Sequence, residues 1–233
     1  MNGNGSTATL VIRHGDDPED DRIATWMRAS GRATRTVRPF RGEALPQIDD
    51  GIDGLVIHGG GFDAFAHDRF PFLKDEARAI ETALARGIAV MGICQGAQQI
   101  ADVLGAAVGP SASGVTEFGY YTIEPVDADA SFLPAPLVVA QSHFHGFSIP
   151  SGATRLARSA LFENQAFSLG RALALQFHPE VTPDGFRRWQ EAPWARYGEP
   201  GVQDRDAQDR LMAQHDAAQQ DWFIGLLERH FSR

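Results

Sequence analysis

The chain has 233 residues, 43% of them hydrophobic and 22% charged, which suits a soluble globular protein with a sizeable core. Its formal charge of -9, with no cluster of Lys and Arg, leaves nothing to neutralise phosphates or dock on an anionic membrane, so neither nucleic acid nor membrane is an expected partner. A single cysteine excludes an internal disulfide, no apolar run approaches the roughly 18 residues a membrane helix needs, and Met1 to Ser6 has neither part of a signal peptide, so a cytoplasmic location is expected.

Ala8 to Arg13 reads as a buried strand, and Asp20 to Gly31 as a helix with Ile23, Trp26 and Met27 at helical spacing and Gly31 as its stop. Val37 to Phe40 suggests a second strand. Asp53 to His58 is another buried strand that runs into Gly59-Gly60-Gly61, and a glycine-rich loop at the carboxyl end of a strand suggests a ligand site. Pro71 to Gly87 carries Leu73, Ala77, Ile80, Ala83 and Leu84 on one helical face, ahead of a strand from Ile88 to Ile93. Cys94 follows at once, and Gln95 to Leu104 is helical again, with Gly105 beyond it. Strands at Tyr120 to Val126, Leu137 to Gln141, Thr154 to Ala157, Gln165 to Leu169 and Ala172 to Phe177 are joined by turns, which suggests antiparallel pairing. A loop region spans Trp189 to Gly201, and a polar helix runs from about Arg205 to His230. Leu211, Trp222, Phe223, Leu226 and Leu227 on that tail either pack on the parent domain or face a partner. The expected fold class is α/β: a mostly parallel central sheet flanked by helices, with an antiparallel extension in the second half. One domain is expected over residues 1–233, with 190–233 a loop and helical tail.

Cys94 sits in Gly92-Ile93-Cys94-Gln95-Gly96, between a strand and a helix. A nucleophile on a sharp strand-to-helix turn, with glycines two positions either side, is forced into the open at the top of a sheet. The helix that follows aims its N-terminal dipole and free N–H groups at the sulfur, which favours a thiolate. Such a thiolate needs a base. His178 in Gln176-Phe177-His178-Pro179-Glu180 ends a strand on the same sheet edge, and Glu180 can accept its other ring N–H. Acyl transfer also needs oxyanion donors, available from the backbone N–H of Gln95 and from the glycine loop. Taken singly, a lone cysteine is often core filler, three glycines a tight turn and His-x-Glu a surface pair.

Together these segments resemble the class I glutamine amidotransferases, in particular the single-domain GMP synthase-like group. The likeness rests on Gly59-Gly60, on Gly92-Ile93-Cys94-Gln95-Gly96-Ala97-Gln98, on Glu117-Phe118-Gly119-Tyr120, on Gln141-Ser142-His143, on Asn164-Gln165-Ala166-Phe167 and on Gln176 to Val181. It covers the chain from Leu10 to about Trp189. The resemblance implies a flavodoxin-like fold and a Cys94-His178-Glu180 triad that hydrolyses glutamine, or a γ-glutamyl amide, through a thioester and releases ammonia. It further implies that Gly60 and Gln95 supply the oxyanion amides, and that Gln98 with the backbone near His143 and Phe144 holds the amino-acid end of the substrate. No metal or cofactor is implied. The ammonia would go to a separate synthetase; otherwise the chain would hydrolyse a γ-glutamyl amide or peptide alone. Two loops depart from the family pattern: Gly61-Phe62-Asp63 stands where Pro and a small residue are usual, and Phe144-His145 where Gly-Asp is common.

Other readings are an α/β-hydrolase of the dienelactone-hydrolase kind, a metal site on His143, His145 and His178, and a binding module that kept the fold. The first has its acid before the histidine in the chain, whereas Glu180 follows His178.

Overall fold

Runs of apolar residues buried on both faces require a sheet covered on both sides, and helices between them return the chain to start each next parallel strand. A computed structural model describes residues 7–126 and 132–232; the stretch Met1 to Ser6, expected to lack a leader, lies outside the described residues. In chain order the elements are β1 (Ala8–His14), α1 (Arg22–Ala29), β2 (Thr34–Val37), β3 (Ile52–Gly60), α2 (Phe72–Ala85), β4 (Ala89–Ile93), α3 (Gln95–Val103), β5 (Val108–Pro110) and β6 (Glu117–Pro125). They continue with β7 (Leu137–His143), β8 (His145–Phe147), β9 (Thr154–Ser159), β10 (Ala166–Leu169), β11 (Ala172–Leu175), α4 (Pro183–Gln190) and α5 (Arg205–His230).

Among the described residues the main sheet has the strand order β2-β1-β3-β4-β11-β10-β9-β6-β7. Pairing is parallel from β2 through β4 to β11 and antiparallel from β11 through β10, β9 and β6 to β7, as the two halves of the sequence lead one to expect. One face packs Leu10, Ile12, Leu55, Ile57 and Val90 against α2 and α3, through Ile80, Ala83, Ala97 and Ile100. The other packs Val11, Val56 and Met91 against Ile23 and Met27 of α1 and Phe223, Leu226 and Leu227 of α5. The tail helix is thus core structure on its parent domain. Its indole Trp222 Nε1 donates to Phe132 O at 2.8 Å.

One local expectation is corrected, and elements appear at two places where none was expected. The second strand is Thr34–Val37 and not Val37 to Phe40, because Pro39 cannot donate to a ladder and opens a 3-10 turn over Pro39–Arg41. The short strands β5 and β8 form a separate antiparallel pair that brings His145 opposite Pro110. Helix α4 falls where no element was expected, although Thr182 caps it, Pro183 is its first residue and Asp184 lies in its first turn.

Candidate active site

Steric necessity fixes the turn at Cys94. A Cβ at Gly92 would overlap the Gly96 carbonyl, and one at Gly96 would overlap the Ile57 carbonyl on the neighbouring strand, so helix α3 lies closer to β3 and β4 than any side chain permits. The residue between them takes φ 50° and ψ -107°, a conformation that side-chain-bearing residues rarely adopt. Its thiol is buried at the base of a cleft, 3.7 Å from Ser142 O.

His178 follows β11, the strand beside β4, and its N–H donates to Ala140 O at 2.8 Å. Its Nδ1 lies 2.8 Å from Glu180 Oε1, both residues are 5% exposed, and Trp189 covers the ring edge-on at 4.8 Å. Burial by itself would lower the affinity of this imidazole for a proton. The charge and hydrogen bonding of Glu180 and Cys94 outweigh it and push the pKa up to about 10. The charged form of the ring is therefore favoured, with Glu180 at one nitrogen and Cys94 close by. Gly59 passes so close that a Cβ there would stand 2.9 Å from His178 Cε1 and 3.3 Å from Cys94 Cβ.

The glycine loop is tied to the turn by Gln95, whose Oε1 accepts the Phe62 N–H at 2.9 Å. Gly60 has no room for a Cβ because His14 occupies that space, whereas Gly61 has open space around it. Phe62 does not enter the cleft; it packs on Phe70 at 4.9 Å and on Phe72 at 5.1 Å. The two departing loops meet, with Asp63 Oδ1 3.9 Å from His145 Nδ1.

The remaining expected residues divide. Phe144 lines the cleft, 40% exposed, with the Arg196 guanidinium 4.5 Å from its ring centre. His143 turns its side chain inward, Nε2 3.0 Å from Glu117 Oε2 and Nδ1 2.9 Å from His145 O, so its backbone is what it offers a ligand. Glu117 also accepts from Ser159 Oγ at 2.6 Å and Gln165 Nε2 at 2.7 Å, a buried network that braces this loop. Gln98 is buried, and its amide donates to Gln176 Oε1 at 3.1 Å and to His145 O at 3.5 Å. It is not among the residues that line the cleft. His143, His145 and His178 do not share a ligand point, and among the described residues no group of three or more His, Cys, Asp and Glu could hold a metal ion.

Sequence reasoning missed a second polar wall. Arg13 pairs with Asp21, the capping residue of α1, and His58 stands beside them in the cleft lining. Burial first, and the Arg13 charge with it, lowers His58 to about 4 against the opposing pull of Asp21 and Glu180, so its ring is neutral near pH 7. Alternate positions along β1 and β3 carry Arg13 and His58 to this face, but nothing in a strand's own pattern reveals that the two meet. The cleft as a whole has a volume of about 540 Å³.

The description "Glutamine amidotransferase class-I" matches residues 23–188. A glutamine-hydrolysing GMP synthase of Helicobacter acinonychis is 30% identical over 163 residues, which cover 68% of this chain and 30% of that protein. That of Aeropyrum pernix is 36% identical over 144 residues, 60% of this chain and 26% of the relative, so the match spans less than a third of either synthase. A glutamine amidotransferase-like protein of Salmonella typhimurium is 31% identical over 166 residues, 67% of this chain and 69% of its own length. Among solved structures, a glutamine amidotransferase of Thermotoga maritima superposes with a TM-score of 0.86 at 30% identity, over 97% of this chain and 99% of that one. One from Methylobacillus flagellatus shares the fold, with a TM-score of 0.88 at 23% identity over 97% and 94%. No described helix is long and apolar enough to cross a membrane.

Proposed function

The chain belongs to the class I glutamine amidotransferase family, and on that premise we propose that it hydrolyses the side-chain amide of glutamine through a thioester on Cys94 and releases ammonia to a separate acceptor enzyme. The observation that carries this reading is the His178 imidazole, 2.8 Å from Glu180 and packed with Cys94 around Gly59, where Cys94 holds a strained turn. The Cys94 thiolate attacks the amide carbon. Backbone N–H groups of Gly60 and Gln95 receive the oxyanion, and the imidazolium of His178 gives its proton to the departing nitrogen. Ammonia leaves. A water then gives a proton to His178 and attacks the thioester carbonyl; the acid is released and the thiolate–imidazolium pair is restored. Glu180 supports the imidazolium throughout, and the backbone at His143 and Phe144, braced by Gln98, holds the amino-acid end of the substrate. The synthase relatives support an ammonia-accepting synthetase as partner.

One observation favours a second reading, in which the chain alone hydrolyses a γ-glutamyl amide or peptide. A cleft of about 540 Å³ extends from Cys94 past Arg13 and His58 on one side and Phe144 and Arg196 on the other, far more room than ammonia needs as a leaving group.

Ammonia release by the purified chain tests both, first with glutamine and then with a panel of γ-glutamyl amides. Cys94→Ser is expected to lose the activity, and a glutamine-analogue diazo ketone is expected to label Cys94. Undiminished turnover by Cys94→Ser rules out the thiolate mechanism. Activity confined to the larger amides selects the second reading.

A further inference from the structure

The three carbonyl oxygens around the acid of the triad are all taken by one residue. Arg22, the first residue of α1, donates its backbone N–H to Glu180 O at 2.8 Å, while its Nη1 donates to Pro179 O at 3.0 Å and to Val181 O. Its Nη2 meets both carboxylate oxygens of Asp216 on α5, at 2.6 and 2.7 Å, and its Nε points at Gln220 Oε1, one turn further along, at 3.4 Å. Arg22 is 3% exposed. A guanidinium so deeply buried needs a counter-charge, and Asp216 supplies it.

The carboxylate of Glu180 is otherwise weakly held. Oε1 faces His178, while Oε2 is buried with no hydrogen-bond partner among the described residues. Its aim therefore depends on the backbone at positions 179–181. The planar fork of an arginine can grip two carbonyls and a carboxylate at once, which the single ammonium of a lysine cannot. We propose that Arg22, locked by Asp216, is a positioning residue that aims Glu180 at His178, making the C-terminal helix part of the catalytic apparatus. Both residues lie outside the 23–188 segment matched by the family description. The inference rests on the Cys94-His178-Glu180 reading.

Cys94 is the sole cysteine of the chain, so iodoacetamide alkylation reports on one sulfur. The variants are Arg22→Lys, Arg22→Met and Asp216→Asn, with alkylation rates from about pH 6 to 8 normalised to the folded fraction. Cys94, whose charge acts on His178, and His58, which feels the charges of Glu180, Asp21 and Arg13, stay unchanged in all three, as do Asp21 and Arg13. Alkylation is expected to depend more steeply on pH in each variant, because a mis-aimed Glu180 no longer supports the charged imidazole. For ammonia release, kcat is expected to fall roughly 10- to 100-fold with KM within about threefold, the pattern of misplacement rather than lost binding. Should Arg22→Met fail to fold, Asp216→Asn and Arg22→Lys decide the matter. Folded variants with parental pH dependence and kcat within twofold overturn the proposal, and loss of thermal stability alone, with both readouts unchanged, overturns it too. If the parent releases no ammonia from any γ-glutamyl substrate, the amidase reading fails, and the alkylation profiles still judge the positioning role.

Discussion

Replacing Cys94 should reverse the usual stability order of alanine and glycine. At φ 50° and ψ -107°, Cys94 is one of two described non-glycine residues with positive φ, the other being Arg196. Holding a residue with a Cβ in so sparsely populated a conformation costs about 1–3 kcal/mol. Cys94→Ala keeps the Cβ and the strain, whereas Cys94→Gly removes both at an entropic cost of about 0.5–1 kcal/mol in the unfolded chain. The buried sulfur is lost in each, so it cancels in the comparison. Cys94→Gly is then more stable than Cys94→Ala by about 0.5–2 kcal/mol, a few degrees of Tm for a chain of this size. Urea titration of the two proteins, both without a thiol, measures the difference directly. An alanine variant at least as stable as the glycine variant would refute the strained-turn account.

Two further outcomes follow from the same geometry. Gly92→Ala and Gly96→Ala push a Cβ into backbone carbonyls, so each is expected to cost about 3 kcal/mol and abolish turnover, whereas Gly61→Ala, with open space around it, leaves thermal stability unchanged. Stability is also expected to fall on both sides of neutrality. His178, raised to about 10, binds its proton more tightly when folded, so its contribution is whole below about pH 6.5 and is lost as pH rises towards 10. His58 and His230, both lowered to about 4, contribute stability above about pH 6.5 that drains away as pH falls towards 4. In denaturation across pH, His58→Gln should flatten the acid limb and leave the alkaline one; an unchanged acid limb would show that His58 is not buried as a neutral ring.

The parallel strands were legible because residues such as Leu55, Val56 and Ile57 are buried on both faces and leave an unbroken apolar run. Helix α4 also carried its signals, Thr182-Pro183-Asp184, yet its face is thin in apolar residues, with Phe186 its only fully buried large side chain. The strand after Gly31 was displaced because β2 is an edge strand of polar composition, where pattern gives little and the apolar Val37 marks its end.

Of the site, the turn at Cys94, the glycine loop and the His-x-Glu pair are local: their spacing alone fixes backbone approach, helix direction and hydrogen-bond reach, so the sequence by itself determined them. Contacts between distant segments were decided only by the tertiary structure. Arg22 reaches Asp216 across 194 positions and Val181 across 159, and Asp63 meets His145 only where two loops converge. A charged residue at a helix start reads as a solvated end until packing removes the water around it. The cysteine was visible as a candidate nucleophile, but what surrounds His178 and shapes the cleft was set by which helices cover the sheet.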